Sequence, residues 1–333
     1  MRHTKNAATP NPTFLKFNRI TPFLATLLLL ASGIAMPAAS HGAPLKIVVA
    51  VPPGGPMDVI ARQLAARVTD QTGEVVLVHN RPGAMGLIGT RHVVDSAGDG
   101  STLLLGGSFL VTNALTIKFA PNPIKDLKPV IQLQETEQYL AIRSGLRVSA
   151  PGDLERLARE CPEGLNCGAV PGQLGMACQH LKALLGGRVV SIPYSGMAPA
   201  LNALVAGQID LLFTNRTTLI PMTDMGKIQV LAALGSHSGK PPFDSLPLMK
   251  DIWPSFVMSG WSGIFAPAST PDTVVNRLNR RFNEALADPQ LRGVLEAQGY
   301  KVVGGQPEAL ADQLSKDMAL CHGILKDIGM RPH

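Results

Sequence analysis

The sequence is poor in aromatic residues and has little net charge once its first segment is set aside. Phe, Tyr and Trp make up 5% of the 333 residues, and Lys and Arg form no stripe interleaved with them. The formal charge is +6, but residues 1–43 contribute four basic and no acidic side chains, which leaves +2 for the rest. These features exclude a nucleic acid as an expected partner.

The usual motifs of metal, nucleotide and covalent chemistry are missing. The cysteines form no CxxC pair and the eight histidines form no i, i+4 pair, so we expect no metal or other cofactor. The glycines of "GAMGLIG" are spaced GxxGxxG rather than GxGxxG, and no GK[ST] sequence follows a glycine-rich loop. No serine stands in GxSxG. The sequence therefore predicts a protein that is not an enzyme.

The first segment differs in kind from the rest of the chain. Four basic residues precede the apolar run "PFLATLLLLASGIAM", which is followed by the small residues of "PAASHGAP". This pattern predicts a secretory signal peptide over residues 1–43, cleaved between about Ala38 and Ala43. An uncleaved membrane anchor is the alternative, although the apolar run is short for a transmembrane helix.

Four cysteines remain after this segment: Cys161, Cys167, Cys178 and Cys321. An even number in an exported protein favours disulfides, and the short loop "CPEGLNC" predicts a bond between Cys161 and Cys167. The pairing of Cys178 and Cys321 stays open, and free buried thiols are the alternative.

Strands and helices alternate along the rest of the chain. An apolar strand from Leu45 to Val51 precedes a helix over 57–70, and the same alternation recurs from residue 165 onward. This predicts an α/β fold with two doubly wound lobes, lobe 1 formed by residues 44–108 and 230–333 and lobe 2 by residues 109–229. The segment "DLERLARE", residues 153–160, is predicted to be a helix, and "CQHLKALL" predicts a helix that begins at Cys178. The strand "KIQVLAAL" is assigned to the return toward lobe 1. Three helices are predicted to finish the chain, and Thr270 is predicted to cap one of them, "TPDTVVNRLNRRFNEALADP".

Loops rich in glycine follow several of these strands. In "PPGGPMD" the glycines permit positive φ angles and leave backbone N–H groups near a helix N-terminus, where an anion is stabilised. A tight turn without a binding role is the alternative. Asp58 is expected to cap its helix rather than to contact an anion. The predicted carboxylate-binding residues are Pro53, Gly54, Gly55, Asp58, Ser108, Thr112, Gly172, Gln173, Gly175, Tyr194, Ser195 and Asn215.

Segments along nearly the whole mature chain resemble the Bug-type family of periplasmic solute-binding proteins, the receptors of tripartite tricarboxylate transporters. Among them are "VVAVPPGGPMDVIARQLA", "VVLVHNRPGAMGLIGT" and "IPYSGMAPALNALVAGQIDLLF". The resemblance implies a type II periplasmic-binding-protein fold with a hinge and a ligand cleft. It also implies a monomer in the periplasm that delivers a small organic carboxylate to membrane transporter subunits. A binding protein that docks on a sensor ectodomain and an α/β cleft enzyme are the alternatives.

The sequence departs from this family in the loop "RPGAMGLIG". Met85 and Leu87 stand where the family usually has a glycine and an asparagine, and His79 stands where it usually has an acidic residue. The apolar side chains of Met85 and Leu87 near a site that is usually more polar favour a ligand with an apolar portion, such as an aromatic or branched carboxylate, over citrate.

Overall fold

The computed structural model describes residues 44–223, 226–235 and 241–332. The predicted signal peptide and its cleavage site lie outside these residues. The strands are β1 (Leu45–Val49), β2 (Val76–Asn80), β3 (Thr102–Gly107), β4 (Leu127–Thr136), β5 (Gln138–Arg143), β6 (Leu165–Ala169), β7 (Val189–Pro193), β8 (Leu211–Asn215), β9 (Ile228–Ala233), β10 (Gly260–Pro267) and β11 (Tyr300–Val302). The helices are α1 (Pro56–Thr72), α2 (Leu87–Val94), α3 (Phe109–Thr116), α4 (Asp153–Glu160), α5 (Gln173–Leu184), α6 (Met197–Val205), α7 (Arg216–Thr223), α8 (Asp272–Leu286), α9 (Pro289–Ala297) and α10 (Pro307–Asp327).

The first lobe is built on a six-stranded sheet in the order β11-β4-β10-β3-β1-β2. Strands β1, β2 and β3 are parallel, and β10 runs antiparallel to both β3 and β4. Helices α1, α8 and α9 cover one face, while α2, α3 and α10 cover the other. Because both faces are covered, Ile47, Val48 and Val49 are all fully buried, which explains the uninterrupted apolar run of β1.

The second lobe is built on a five-stranded sheet in the order β7-β6-β8-β5-β9. Strands β6, β7 and β8 are parallel, and β5 is antiparallel to β8 and β9. Helices α4 and α5 pack on one face and α6 and α7 on the other. One hydrophobic core includes Leu104 of the first sheet and Phe213 of the second, so apolar packing continues from lobe to lobe.

The chain passes between the two sheets at places that differ from the predicted lobe boundaries. Strand β4 pairs with β10 in the first sheet, so the first crossing lies at Glu137 rather than at 108/109. Strand β9 pairs with β5 in the second sheet, so the predicted return of "KIQVLAAL" to lobe 1 is wrong and the second crossing lies within 234–259. Strand pairing with distant segments decides both assignments, and a local pattern carries no information about it.

The predicted bond between Cys161 and Cys167 is also wrong. Cys167 is bonded to Cys178, with a Cα–Cα distance of 6.0 Å, whereas Cys161 and Cys321 are free. Strand β6 directs Cys167 into the core, where Cys178 of α5 is equally buried. Cys161 instead follows the last residue of α4 and is partly exposed. Side-chain direction, rather than short loop length, therefore determines the pair.

Two helix starts differ from the sequence predictions. Pro271, in an extended conformation, is the N-cap of α8, and Thr270 makes no capping bond. Helix α5 begins at Gln173, five residues before the predicted start at Cys178. The three C-terminal helices are confirmed. None of the helices in the described ranges is both long and apolar enough to cross a membrane.

Candidate functional site

The carboxyl ends of the parallel strands define one edge in each lobe. In the first sheet these ends are Val49, Asn80 and Gly107, and in the second sheet they are Ala169, Pro193 and Asn215. All twelve predicted binding residues lie at the ends of such strands, in the loops that follow them or within the first four residues of the next helix. In open α/β sheets this edge is where ligands bind.

Asp58 holds the loop between β1 and α1. It lies three residues beyond the N-cap Gly55, and its Oδ2 accepts the N–H of Gly54 at 2.9 Å. The same oxygen accepts Nε of Arg62 at 2.9 Å, and Oδ1 accepts Nδ2 of Asn80 at 2.9 Å. Asp58 therefore reaches back to the loop and joins it to α1 and β2. Arg62 and Asn80 are missing from the sequence prediction, although the i, i+4 spacing of Asp58 and Arg62 is a recognisable signal for an ion pair.

These donors control the charge of Asp58. The hydrogen bond from Arg62 is the main reason that the pKa of Asp58 is lowered to about 2, with smaller contributions from Gly54 and Asn80, although burial acts in the opposite direction. The carboxylate stays ionised at every physiological pH. Because its negative charge is matched by Arg62, the loop offers no free cation to a ligand.

Replacement of Asp58 by asparagine should destabilise the fold at neutral pH, because it removes the ion pair with Arg62. We expect a loss of only about 1–2 kcal/mol, since solvent screens the half-exposed Arg62. A carboxyl whose pKa is lower in the folded state stabilises the fold above its unfolded pKa, so this difference should shrink progressively as pH falls from about 4 towards 2 and be lost only below the folded pKa of about 2. Urea unfolding of both proteins at pH 7 and pH 2.5 measures it. Asp153→Asn is the matched control. Asp153 also accepts two loop N–H groups, from Ser149 and Ala150, but it lies outside the predicted binding loops, so its replacement should leave ligand affinity unchanged.

Two neighbouring glycines in this loop differ in what they offer. Gly54 has φ +85° and its N–H is taken by Asp58. Gly55 has φ −80°, and its N–H has no acceptor among the described residues. A Cβ atom on Gly55 would meet only the carbonyl oxygen of Pro52, at 3.8 Å. The anion-binding role predicted for both glycines is thus open only to the N–H of Gly55.

The segment after β2, comprising the loop and the first turn of α2, packs tightly against the residue that follows β1. A Cβ atom on Gly89 would lie 2.9 Å from Cα of Ala50, so a side chain at position 89 does not fit. Nδ2 of Asn113 donates to the carbonyl oxygen of Met85 at 2.8 Å, which ties this loop to α3. The glycines of "GAMGLIG" thus serve close packing. Ser108 is the N-cap of α3 without a side-chain capping bond.

The binding residues predicted in the second lobe surround the start of three helices. Gly172 is the N-cap of α5 with φ +90°, and a Cβ atom on Gly175 would lie 2.1 Å from the carbonyl oxygen of Val170. The N–H of Tyr194 donates to the carbonyl oxygen of Ala169 at 2.9 Å, while Ser195 is exposed. Oδ1 of Asn215 accepts the N–H of Thr218 at 3.1 Å in the first turn of α7, so that oxygen is committed to the helix.

Gln173 differs most from its predicted role. Its side chain is only 4% exposed, and Nε2 donates to Oδ2 of Asp317 at 3.3 Å, while Oε1 accepts Nε2 of Gln138 at 3.4 Å. Asp317 also accepts Nε1 of Trp261 at 2.6 Å and Nε2 of Gln313 at 3.1 Å. The sequence prediction lacks Asp317, although a carboxylate in the apolar face of α10, three residues from Leu314, is a detectable signal.

A cavity of about 270 Å³ lies between the two sets of loops. It is lined by three predicted residues, Thr112, Gly172 and Gly175, together with Met85 and the C-terminal residues Ile324, Leu325, Ile328 and Met330. Cavities of about 290 and 450 Å³ lie near β11 and at the crossings, and they contain none of the predicted residues. Groups of His, Cys, Asp or Glu able to hold a metal ion are absent from the described residues.

Comparison with known proteins matches this architecture to one family. The model of the "Tripartite tricarboxylate transporter family receptor" matches residues 60–330. The chain belongs to this family. BugT of Bordetella pertussis (strain Tohama I) is 30% identical to this receptor over 327 residues, which cover 93% of this chain and 96% of BugT.

Two solved structures share the fold. "R. palustris Rpa4515 with adipate" has 26% sequence identity and a TM-score of 0.72, over 87% of this chain and 98% of that one. "MatC (Rpa3494) from Rhodopseudomonas palustris with bound malate" has 27% identity and a TM-score of 0.70, over 85% and 98%. The predicted two-lobed α/β fold and the resemblance to Bug-type proteins are confirmed. The chain is a solute-binding receptor of a family of periplasmic receptors.

Proposed function

We propose that this receptor captures a small organic carboxylate between its lobes in the periplasm and delivers it, without chemical change, to the membrane subunits of a tripartite transporter. The observation that carries the proposal is the match to receptors whose structures hold adipate and malate, across 98% of each of those chains. The protein acts as a monomer that closes about its two crossings.

Backbone N–H groups, rather than cationic side chains, supply the binding energy in this proposal. Arg62 of α1, the cation joined to the β1–α1 loop through Asp58, is paired with that carboxylate, whereas the N–H of Gly55 has no acceptor in the described part of the chain. Gly55 and Gly172 are the N-caps of α1 and α5. Helix N-termini stabilise an anion through their free N–H groups and the helix dipole.

The ligand of this proposal carries an apolar portion. Met85 is 60% exposed and lines the cavity between the loops, and Met176 and Ile328 line the same cavity. An unbranched methylene chain would bury apolar surface there, while the extra carboxylates of citrate would lose hydration without a cationic partner. We therefore expect adipate to bind more tightly than citrate.

Native mass spectrometry of protein purified from the periplasm, followed by calorimetric titration with adipate, malate and citrate, tests the proposal. We expect a dicarboxylate to bind, with adipate at least about tenfold tighter than citrate, and to be recovered unchanged after incubation. The intact mass also tests removal of residues 1–43. If the protein bound none of the three compounds, or if it converted one of them, the proposed function would be refuted.

A further inference from the structure

A buried polar chain lies where the two lobes meet. Trp261 is the second residue of β10 in the first sheet, and Gln138 is the first residue of β5 in the second sheet. Asp317 of α10 and Gln173 of α5 lie between them, joined by the bonds Trp261–Asp317, Gln173–Asp317 and Gln138–Gln173. All four side chains are at least nine-tenths buried. This series of hydrogen-bonded side chains therefore links both crossings to Gln173, the first residue after Gly172.

We propose that Asp317 is a positioning residue whose ionisation controls how firmly the Gly172–Gly175 loop is held for the ligand. This inference rests on the proposed function, because it concerns the affinity of the same cleft. Ionised Asp317 accepts three donors and fixes Gln173, the residue next to the N-cap of α5. A protonated carboxyl group accepts these bonds less strongly, because charge-assisted hydrogen bonds are about twice as strong as neutral ones.

The charge of Asp317 also sets the orientation of the two glutamine amides. While Asp317 is ionised, Gln173 must point its NH₂ group at the carboxylate, so its oxygen receives Gln138. Oε1 of Gln138 is then buried without a partner among the described residues. A protonated Asp317 can donate to the oxygen of Gln173, which permits both amides to turn. The four buried side chains thus have two hydrogen-bonded arrangements, and protonation of Asp317 selects between them.

The proton is exchanged in an accessible range because burial raises the pKa of Asp317 to about 6, against the opposing effect of Trp261, Gln313 and Gln173. The other charged groups near Asp317 line the cavity of about 450 Å³ at the crossings: Glu135 and Lys301, which pair with each other at 2.9 Å, Glu137, and exposed Lys316.

Two further titratable groups lie on α5 and α10, the helices that contain Gln173 and Asp317. Burial lowers the pKa of His180 on α5, so His180 is neutral at pH 7, and burial raises the pKa of Cys321 on α10 to about 12.

Calorimetric titration of adipate into the wild type and the Asp317→Asn variant from pH 5 to pH 8 tests the inference. Because both proteins experience the same titration of adipate, the ratio of their Kd values isolates Asp317. At pH 8 we expect the variant to bind about tenfold more weakly, and at pH 5 within about twofold, with a midpoint near pH 6. A ratio that stays constant with pH would mean a merely structural role and would overturn the inference.

Trp261→Phe provides a second reading. It removes one donor to Asp317 and keeps an aromatic ring, so the midpoint of its own pH profile should move upward relative to wild type. An unchanged midpoint in a folded Trp261→Phe protein would also contradict the inference. If wild-type protein bound none of the carboxylates, the proposed function itself would fail, and that outcome is visible in the wild-type titration alone.

Discussion

Replacement of both Cys167 and Cys178 by alanine should lower the free energy of unfolding by about 2–4 kcal/mol. The bond closes a loop across a sequence separation of 11 and joins β6 to α5, the two elements that flank the Gly172 loop. Its loss gives the unfolded chain more conformations and removes a covalent constraint beside the binding site. Urea unfolding of oxidised wild type and the double variant measures the difference, and a reducing agent should destabilise only the wild type.

Cys161→Ala is the matched control because it removes the cysteine that the spacing in the sequence predicts as the partner of Cys167. It should change the unfolding free energy by less than about 0.5 kcal/mol, since Cys161 is partly exposed and free. Cys321 does not compete for the bond while the protein is folded, because burial raises the pKa of its thiol to about 12. A loss in Cys161→Ala as large as in the double variant would restore the pairing predicted from the sequence.

Local features explain the elements that the sequence predicts well. Helix α4 has the predicted bounds, Asp153–Glu160, since an acidic first turn and the buried pair Leu154 and Ala158 are all within the segment itself. Strand β1 is predicted for the same reason, because its apolar run needs no distant partner to be recognised. The assignment of β4 depends instead on pairing with β10, more than a hundred residues away.

The same distinction applies to the candidate site. The positions of the binding loops follow from the alternation of strands and helices, because parallel strands bring their carboxyl ends to one edge. The hydrogen-bond partners of individual groups do not follow from this alternation. Gln173 is hydrogen-bonded to Asp317, 144 residues further along the chain, and the N–H of Gly54 is taken by Asp58. A polar residue at a loop tip is therefore a candidate until its hydrogen-bond partners are known.

Substitutions at Gly54 and Gly55 are expected to act differently: one at Gly54 would strain the backbone, whereas one at Gly55 would hinder the approach of an anion. A side chain at Gly54 would be strained at φ +85°, although space is free around it. Gly55 has an extended conformation that any residue adopts, and its Cβ would meet no atom closer than 3.8 Å. A substitution at Gly55 is therefore expected to leave the fold intact while adding atoms beside its N–H group.

Gly55→Val should weaken carboxylate binding by at least about a hundredfold, because a branched side chain at the N-cap of α1 blocks the approach of an anion to the helix N-terminus. Its unfolding free energy should fall by less than about 1 kcal/mol, since glycine is only modestly favoured at this position. Gly152→Val is the matched control: Gly152 is also an N-cap glycine with φ below zero and a nearest neighbour at 3.8 Å, but it precedes α4, outside the predicted loops. Calorimetric titration with adipate and thermal melts of both variants measure these effects. If folded Gly55→Val protein kept wild-type affinity, "PPGGP" would be a turn without a binding role, and the anion would have to be held by the other loops.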